Sequence, residues 1–298
     1  MSVLPRSIQA VFEGFDDVTI EGIHARVGGS GPPLLLLHGY PQTHVMWHRV
    51  ASRLAKRFTV IASDLTGYGG SRRPPLSVDH AAYSKRAMAA DQVAMMSRLG
   101  HEQFFVAGHD RGGRCGYRMA LDHPERVERL AVLDIVPTVE VYRRTDMALG
   151  LGYWHWFFLA QPAPFPDRVI SADPDAFFLG ASMAGGEAQF GAEALDRYRD
   201  AWSEPAAIAA FCEDYRAGAT VDFTIDEADS TAGQRIECPV LALWGNRGAL
   251  PSWHDVLAVW RGWATDVRGR ALDASHYLAE DAPEDVADEF ESFFPASG

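Results

Sequence analysis

A glycine-rich turn with an aspartate at its centre follows one of the apolar runs of the chain. The turn reads Gly108-His109-Asp110-Arg111-Gly112-Gly113, and in this strand–turn–helix motif the central position usually carries a nucleophilic serine. Glycines suit such a turn because its backbone is strained and the following helix packs closely. A carboxylate is already ionised and can displace a leaving group from an sp³ carbon, which leaves an alkyl ester. We therefore predict that Asp110 is a nucleophile, the alternative being that it only caps the helix that follows.

Two further side chains could complete a site that hydrolyses such an ester. His276 follows the last predicted strand, and it comes after the acid in the chain order nucleophile, acid, histidine. Asp134 directly follows the apolar run 130–133, whereas no acid lies close behind the run 240–243. We predict His276 as the base that activates water and Asp134 as the carboxylate that orients it. Each residue could instead be an ordinary side chain at the end of a strand.

Backbone N–H groups would stabilise the negative charge that develops on the ester oxygen. The segment His38-Gly39-Tyr40-Pro41 follows the apolar run 34–37, and a loop of this kind supplies such donors in many folds of this type. We predict that the N–H groups of Tyr40 and Arg111 form this oxyanion hole.

Two arginines and three aromatic side chains could recognise the substrate. Arg111 and Arg114 lie on one face of the helix that opens at Asp110, where the helix dipole disfavours cations. Their placement makes sense if the substrate carries a carboxylate, which guanidinium groups bind well; the alternative is that they pair with protein carboxylates. A departing halide would need hydrogen-bond donors on otherwise apolar side chains, such as aromatic residues. Aromatic residues in this part of the chain could instead belong to the core of the cap. We predict that the donors are His155, Trp156 and Tyr215.

The elements that must position these residues alternate between strands and helices. Apolar runs of about four residues, bounded by turn residues, indicate strands that are buried on both faces. They lie at 34–37, 59–62, 104–107, 130–133 and 240–243, and segments with helical spacing lie at 82–99 and 112–121. This order predicts an α/β fold with a mostly parallel, doubly wound sheet. The stretch 137–220 is rich in aromatic residues and prolines and lacks buried strands, so we predict a helical cap there, inserted between core segments 1–136 and 221–298.

The composition narrows the class of partner. The net charge is −13, which argues against nucleic acid or an anionic membrane surface, because both require a basic face. Cys115, Cys212 and Cys238 show no metal-ligand spacing, so we expect no zinc site, no disulfide framework and a reducing cytoplasm. Residues 1–12 lack the pattern of a signal peptide, and no stretch approaches the ~18–20 apolar residues of a membrane span. The chain is expected to act on a small molecule without a cofactor or metal.

The motifs together resemble those of the fluoroacetate dehalogenases of the α/β-hydrolase superfamily, over nearly the whole chain. The combination D-R-x-x-R, H-W and C-E-D-Y-R is the specific part, and L-L-L-L-H-G-Y-P is shared more widely. The resemblance implies a fold with a cap, catalysis by Asp110, His276 and Asp134, and a homodimer. It also implies a carboxylate clamp and a halide pocket, formed by Arg111 and Arg114 and by His155, Trp156 and Tyr215.

The expected reaction is hydrolysis of a small 2-haloacid through an ester on Asp110, with fluoroacetate giving glycolate and fluoride. Chloroacetate is an alternative preferred substrate. The main rival is an epoxide hydrolase, in which Tyr153 and Tyr215 would protonate the epoxide oxygen; a neutral epoxide would leave the arginine pair unused. A haloalkane dehalogenase would also leave it unused, and a non-catalytic relative would usually lack part of the triad. Departures from the family pattern, which leave halogen and chain-length preference open, are Tyr40 in place of Phe, Gly152-Tyr153-Trp154 and Thr220-Val221.

Overall fold

The computed structural model describes residues 12–296 and contains an eight-stranded sheet. The strands are β1 (Asp16–Ile20), β2 (Ile23–Gly29), β3 (Pro33–Leu37), β4 (Thr59–Ser63), β5 (Phe104–His109), β6 (Val127–Leu133), β7 (Val240–Gly245) and β8 (Val267–Leu272). Their order across the sheet is β1-β2-β4-β3-β5-β6-β7-β8. β2 pairs antiparallel with both β1 and β4, and all other neighbours are parallel. The prediction of a mostly parallel α/β sheet is confirmed.

Each predicted apolar run forms a strand of this sheet, with one to three residues added at its ends. β1 and β2 were not predicted. In β1 the side chains are mostly exposed, and β2 alternates between buried and partly exposed positions. An edge hairpin of this kind needs no continuous apolar run, because one of its faces contacts solvent.

The helices lie on both faces of the sheet and over the carboxyl ends of its strands. Before β6 come α1 (Ala51–Leu54), α2 (Lys85–Arg98) and α3 (Arg111–Asp122), with 3₁₀ turns at His44–Trp47 and Ala81–Tyr83. Between β6 and β7 come α4 (Thr138–Arg143), α5 (Met147–Gly152), α6 (Trp154–Leu159), α7 (Phe165–Ala172), α8 (Pro174–Gly180), α9 (Gly186–Phe190), α10 (Ala192–Trp202), α11 (Pro205–Ala217), a π-helical turn (Gly218–Asp222) and α12 (Phe223–Ala232). After β7 come α13 (Leu250–Trp253), α14 (Val256–Trp263), α15 (Leu278–Asp281) and α16 (Pro283–Phe293).

The stretch between β6 and β7 consists of helices joined by turns and loops, and it contributes no strand to the sheet. Its helices bury their own apolar side chains, among them Phe178, Tyr198, Trp202 and Phe211. Aromatic rings from this stretch reach the loop after β3, since Tyr40 contacts Phe178 and Phe211 at ring-centroid distances of 5.9 and 5.8 Å. We call this stretch the cap; the predicted boundaries at residues 137 and 220 stay a prediction, and the helical run continues to Ala232.

Within residues 12–296, no helix combines the length and the apolar character that a membrane crossing requires. The prediction about a signal peptide concerns residues 1–12, of which 1–11 lie outside the described residues.

Candidate active site

Asp110 stands on the tight turn between β5 and α3 with a left-handed backbone, at φ 45° and ψ −114°. Its side chain makes no capping hydrogen bond to α3. Instead, Oδ1 accepts a hydrogen bond from the backbone N–H of Tyr40 at 3.0 Å. A non-glycine residue with positive φ is strained, and such strain is found where a side chain must project in one direction. The carboxylate is therefore held by the loop after β3, and the helix-cap alternative does not describe its contacts.

Gly112 allows α3 to start against the end of β3. A Cβ atom at this position would lie 2.4 Å from the carbonyl oxygen of His38 and 2.5 Å from the carbonyl carbon of Leu37. We expect Gly112→Ala to lower the free energy of unfolding by about 1–3 kcal/mol, because backbone atoms cannot move aside as a flexible side chain would. Gly262→Ala in α14 is the control, since its Cβ would meet nothing within 4 Å. Chemical denaturation of both variants checks this, and an equally small effect in both would contradict it.

Buried Asp134 and partly exposed His276 form a pair beside this turn. Asp134 follows β6 with φ 53°, and its Oδ2 lies 2.6 Å from Nδ1 of His276. Oδ1 of Asp134 accepts a hydrogen bond from the backbone N–H of Gly245 at 3.0 Å, at the end of the neighbouring strand β7. A carboxylate on Nδ1 holds the proton there, so that Nε2 can accept a proton from another group.

The surroundings shift the pKa values of three site residues, Asp110, His276 and His155. Burial alone would raise the pKa of Asp110, but the positive charges of His276 and Arg114 outweigh it and lower this pKa to about 2. Burial opposes the protonated form of His276, yet the hydrogen bond and charge of Asp134 raise its pKa above the usual value. Burial lowers the pKa of His155 to about 4. At neutral pH the site thus contains an ionised Asp110 and a neutral His155.

His109, which was not predicted as a site residue, supports the loop that carries the base. Its Nε2 lies 2.8 Å from the backbone carbonyl oxygen of His276, and the two rings are 4.5 Å apart. Burial lowers the pKa of His109 to about 3, so it is neutral and can donate this hydrogen bond. The signal in the sequence is its place next to Asp110 in the turn.

These groups open onto a cavity of about 200 Å³. Except for Arg111 and Arg114, the predicted site residues all line it: Tyr40, Asp110, Asp134, His155, Trp156, Tyr215 and His276. The rest of the wall was not predicted as part of the site, although Tyr153 was considered: Gly152, Tyr153, Trp154, Ala181, Ser182, Ala249 and Tyr277. Most of these belong to the cap or to loops, where side-chain spacing follows no regular period.

Arg111 lies outside the aromatic wall of the cavity. Its guanidinium carbon is 4.3 Å from the ring centre of Tyr215 and 5.7 Å from that of Trp156. It forms a buried ion pair with Asp214, in which Nε donates to Oδ2 at 2.9 Å. For this arginine, the alternative of pairing with a protein carboxylate therefore applies. Its Nη1 has no hydrogen-bond partner within the described part of the chain.

Arg114 lies against Trp156, with its guanidinium carbon 4.4 Å from the ring centre. Its Nη1 donates to the carbonyl oxygen of Val136 at 2.9 Å and to Oγ1 of Thr138 at 3.2 Å. Its Nε is buried and has no partner among residues 12–296. Both guanidinium groups therefore keep at least one donor nitrogen without a partner in the described residues, and the carboxylate clamp stays a prediction.

Tyr40 differs from the phenylalanine that the resemblance implies. Its ring stacks on His155 at 6.2 Å and meets the edge of Tyr215 at 5.1 Å. Its hydroxyl oxygen is buried and has no hydrogen-bond partner in the described residues. The backbone N–H of Tyr40 donates to Oδ1 of Asp110, and the oxyanion hole of Tyr40 and Arg111 stays a prediction.

A histidine–aspartate group of the metal-ligand type lies away from this cavity. His24, His44 and Asp64 have ligand atoms within 4.8 Å of one another. Each oxygen of Asp64 faces one imidazole Nδ1, that of His24 at 2.8 Å and that of His44 at 3.0 Å. These are hydrogen-bond distances, and they describe a buried carboxylate that ties β2 and the loop after β3 to the end of β4.

The chain is similar to known proteins over most of its length. A family model described as the alpha/beta hydrolase fold matches residues 32–283. The fluoroacetate dehalogenase of Burkholderia sp is 48% identical over 284 aligned positions, covering 93% of each chain. The soluble epoxide hydrolase of Corynebacterium sp. (strain C12) is 32% identical and covers 91% of this chain and 93% of its own. A crystal structure from Nostoc sp PCC 7120, of a protein proposed to be an alpha/beta hydrolase, has a TM-score of 0.92 at 49% identity, covering 95% and 98% of the two chains.

Proposed function

The chain belongs to the haloacetate dehalogenase family of the alpha/beta-hydrolase fold, and on that premise we propose that it hydrolyses fluoroacetate or chloroacetate to glycolate and halide. One observation carries the proposal. An ionised Asp110, held at Oδ1 by Tyr40, shares a cavity of about 200 Å³ with His276 and three aromatic donors. This arrangement suits attack on an sp³ carbon followed by hydrolysis of an ester.

In the first step Oδ2 of Asp110 attacks the carbon that bears the halogen. An oxygen–carbon bond forms, the carbon–halogen bond breaks, and the electron pair leaves with the halide. Donors aimed at this position stabilise the charge as it develops. His155 is neutral because burial lowers its pKa to about 4, so it offers an N–H without the cost of a buried cation. Trp156 and Tyr215 add an indole N–H and a phenol O–H to the same wall.

In the second step water hydrolyses the ester on Asp110. His276 takes a proton from the water, and Asp134 stabilises the imidazolium that forms. The former Oδ1 becomes the ester carbonyl oxygen, and the N–H of Tyr40 already donates to it at 3.0 Å. The tetrahedral intermediate then collapses, Asp110 is regenerated as a carboxylate, and glycolate, halide and one proton are released.

The two steps are expected to differ in their pH dependence. Because Asp134 raises the pKa of His276, the histidine keeps its proton to a higher pH than usual, and the protonated ring cannot act as a base. Steady-state turnover should therefore fall as the pH drops through this pKa. The first halide release needs only ionised Asp110, whose pKa is about 2, so it should stay constant. Stopped-flow measurement of the halide burst, together with steady-state rates, across about pH 5–9 checks this difference. A burst that falls together with turnover would contradict it.

Recognition of the substrate carboxylate is proposed to depend on Arg111. We expect Arg111→Leu to lower kcat/KM for fluoroacetate by roughly 10- to 100-fold, the range for a charge-assisted hydrogen bond. The neutral analogue fluoroacetamide should be affected far less. Lys85 remains to pair with Asp214 in this variant, so no buried carboxylate is left alone. Equal losses for the two substrates would remove Arg111 from carboxylate recognition.

The direct test follows free fluoride with an ion-selective electrode while the purified protein is incubated with fluoroacetate. Asp110→Asn is the control. Fluoride release that requires Asp110 supports the reaction and its nucleophile together. Chloride release from chloroacetate alone would keep the chemistry and move the limit to the cap residues around the halide. No halide release from either fluoroacetate or chloroacetate would overturn the proposal.

Epoxide hydrolysis is the second candidate, because two phenols, Tyr153 and Tyr215, line the cavity with Asp110. Attack by Asp110 on an epoxide carbon would break the ring carbon–oxygen bond, and proton donation from a tyrosine to the ring oxygen would leave a hydroxyalkyl ester on Asp110, which water would hydrolyse to a diol. Diol formation from a small neutral epoxide, without halide release from either acid, would favour this candidate.

A homodimer and a cytoplasmic location remain part of the proposal. The family implies the dimer, and α7 presents exposed apolar side chains, Phe165 at 58% and Val169 at 48% exposure. Sedimentation of the purified protein would measure the oligomeric state.

A further inference from the structure

Outside the aromatic wall of the cavity, two cations share one buried carboxylate. Asp214 is fully buried in α11, and its Oδ1 contacts Nη2 of Arg111 at 2.5 Å and Nζ of Lys85. Its Oδ2 accepts hydrogen bonds from Nε of Arg111 at 2.9 Å and from the hydroxyl of Tyr68 at 2.8 Å. The cap helix α11 therefore meets α2 and α3 of the core at this carboxylate.

The contacts of Asp214 leave one end of Arg111 free. Nε and Nη2 of the guanidinium are both bound to the carboxylate, and Nη2 also donates to the backbone carbonyl oxygen of Asp214 at 2.8 Å. Two parallel bonds fix the plane of a guanidinium as well as its position. Nη1 remains buried with no partner in the described residues. The π-helical turn keeps this region open to the guanidinium, because a Cβ on Gly218 would lie only 3.1 Å from Nη2.

The net charge around Asp214 depends on Lys85 as well as on the pair of Arg111 and Asp214. Arg111 carries one positive charge and Asp214 one negative charge. Burial and the charge of Arg111 lower the pKa of Lys85, and its contact with Asp214 opposes this shift and favours the ammonium form. A second carboxylate, Asp222, faces the backbone rather than the ammonium group, since its Oδ1 accepts from the N–H of Lys85 at 2.7 Å. Burial raises the pKa of Asp222, which disfavours its charge. An ion pair of Arg111 with Asp214 alone would be neutral and would exert little attraction on an anion.

We propose that Asp214 and Lys85 are positioning residues for anion recognition: Asp214 orients Arg111 so that Nη1 is the donor left for the substrate carboxylate, and Lys85 restores the positive charge that Asp214 neutralises. The proposal rests on the proposed function for the identity of the anion. It deepens that function, because it explains how an arginine already paired with a protein carboxylate can still bind a carboxylate ligand.

The chain offers a matched control for a purely structural role. Arg118, two turns further along α3, forms a second buried pair with Asp226 of α12, with Nη2 and Oδ1 2.8 Å apart. Both side chains are 2% exposed, and neither residue lines the cavity. Asp226→Asn therefore breaks a buried Arg–Asp contact between the same core helix and a neighbouring helix without touching the proposed anion site.

The experiment compares Asp214→Asn, Lys85→Met and Asp226→Asn with the wild-type enzyme. Steady-state kinetics use fluoroacetate and neutral fluoroacetamide, calorimetry measures the Kd of the product anion glycolate, and thermal unfolding reports stability. We expect Asp214→Asn and Lys85→Met each to raise KM for fluoroacetate and Kd for glycolate by about 10-fold or more. Fluoroacetamide should change little. Asp226→Asn should lower Tm and leave KM for fluoroacetate and Kd for glycolate unchanged.

Losses of Tm in all three variants with unchanged glycolate affinity would overturn the proposal and leave a structural network. If Asp214→Asn does not fold, Lys85→Met decides the question, because it keeps the Arg111–Asp214 pair and removes only the charge. If the wild-type enzyme binds glycolate but releases no halide, the proposed function fails, whereas the glycolate affinities of the variants still decide the roles of Asp214 and Lys85. If the wild-type enzyme binds no glycolate, the anion site itself is refuted.

Discussion

Replacing Asp110 with asparagine is expected to lower halide release by about 10⁴-fold or more, as is typical when a nucleophile is removed. The amide is neutral, and it cannot displace a halide from an sp³ carbon as a carboxylate does. The amide oxygen can still accept the hydrogen bond from Tyr40, so the turn between β5 and α3 should keep its shape. The loss should therefore appear in kcat rather than in the fold.

Asp122→Asn is a suitable control for this variant. Asp122 is the last residue of α3, where it pairs with Arg86 and Arg118 rather than with any group of the cavity. Circular dichroism and thermal unfolding would show whether either variant loses structure. Halide release by folded Asp110→Asn at more than a hundredth of the wild-type rate would mean that another group attacks the substrate.

Replacing His276 with asparagine should separate the two chemical steps. Asp110 stays ionised in this variant because Arg114 and Arg111 also lower its pKa, so the first displacement should still occur. Hydrolysis of the ester requires a base, and asparagine has none. We expect one equivalent of halide per active site and then a stalled enzyme. Intact mass spectrometry should show one added carboxymethyl group, and peptide mapping should place it on Asp110.

Two results would contradict this mechanism. Sustained turnover in His276→Asn would show that His276 is not the base. A stalled enzyme without the carboxymethyl group would show that the halide leaves by a route that does not pass through an ester on Asp110. His109→Gln is a useful companion variant, because the hydrogen bond of His109 goes to the backbone carbonyl oxygen of His276 and not to its imidazole, so the change should slow turnover without trapping the ester.

The nucleophile turn and the core sheet could be predicted because their signals are local. A buried parallel strand needs an apolar run, and the turn after β5 needs glycines within a few residues of Asp110. The closeness of Asp134 and His276 follows from topology, since Asp134 directly follows β6, His276 lies in the loop after β8, and the carboxyl ends of these parallel strands meet at one edge of the sheet. Chain order and position next to a predicted strand were the grounds on which these residues were predicted.

The surroundings of Arg111 could not be predicted in the same way. Its partner Asp214 is more than a hundred residues away in the cap, and the spacing in α11 gives no sign of which acidic side chain turns inward. Asp214 stands between a glutamate and a tyrosine, each of which is also buried. The position of the guanidinium outside the aromatic wall depends on this tertiary contact, as does the role now proposed for Lys85.

The helical insertion between β6 and β7 separates two groups of site residues in the sequence. The proposed nucleophile, base and orienting acid all follow strands of the sheet, whereas His155, Trp156, Asp214 and Tyr215 all belong to the helices of that insertion. The atoms proposed to form bonds and the side chains proposed to bind the leaving group are thus encoded by separate stretches of sequence. Mutations in the inserted helices are therefore expected to change halogen preference without altering the surroundings of Asp110. Substrate selectivity can then evolve separately from the reactive carboxylate.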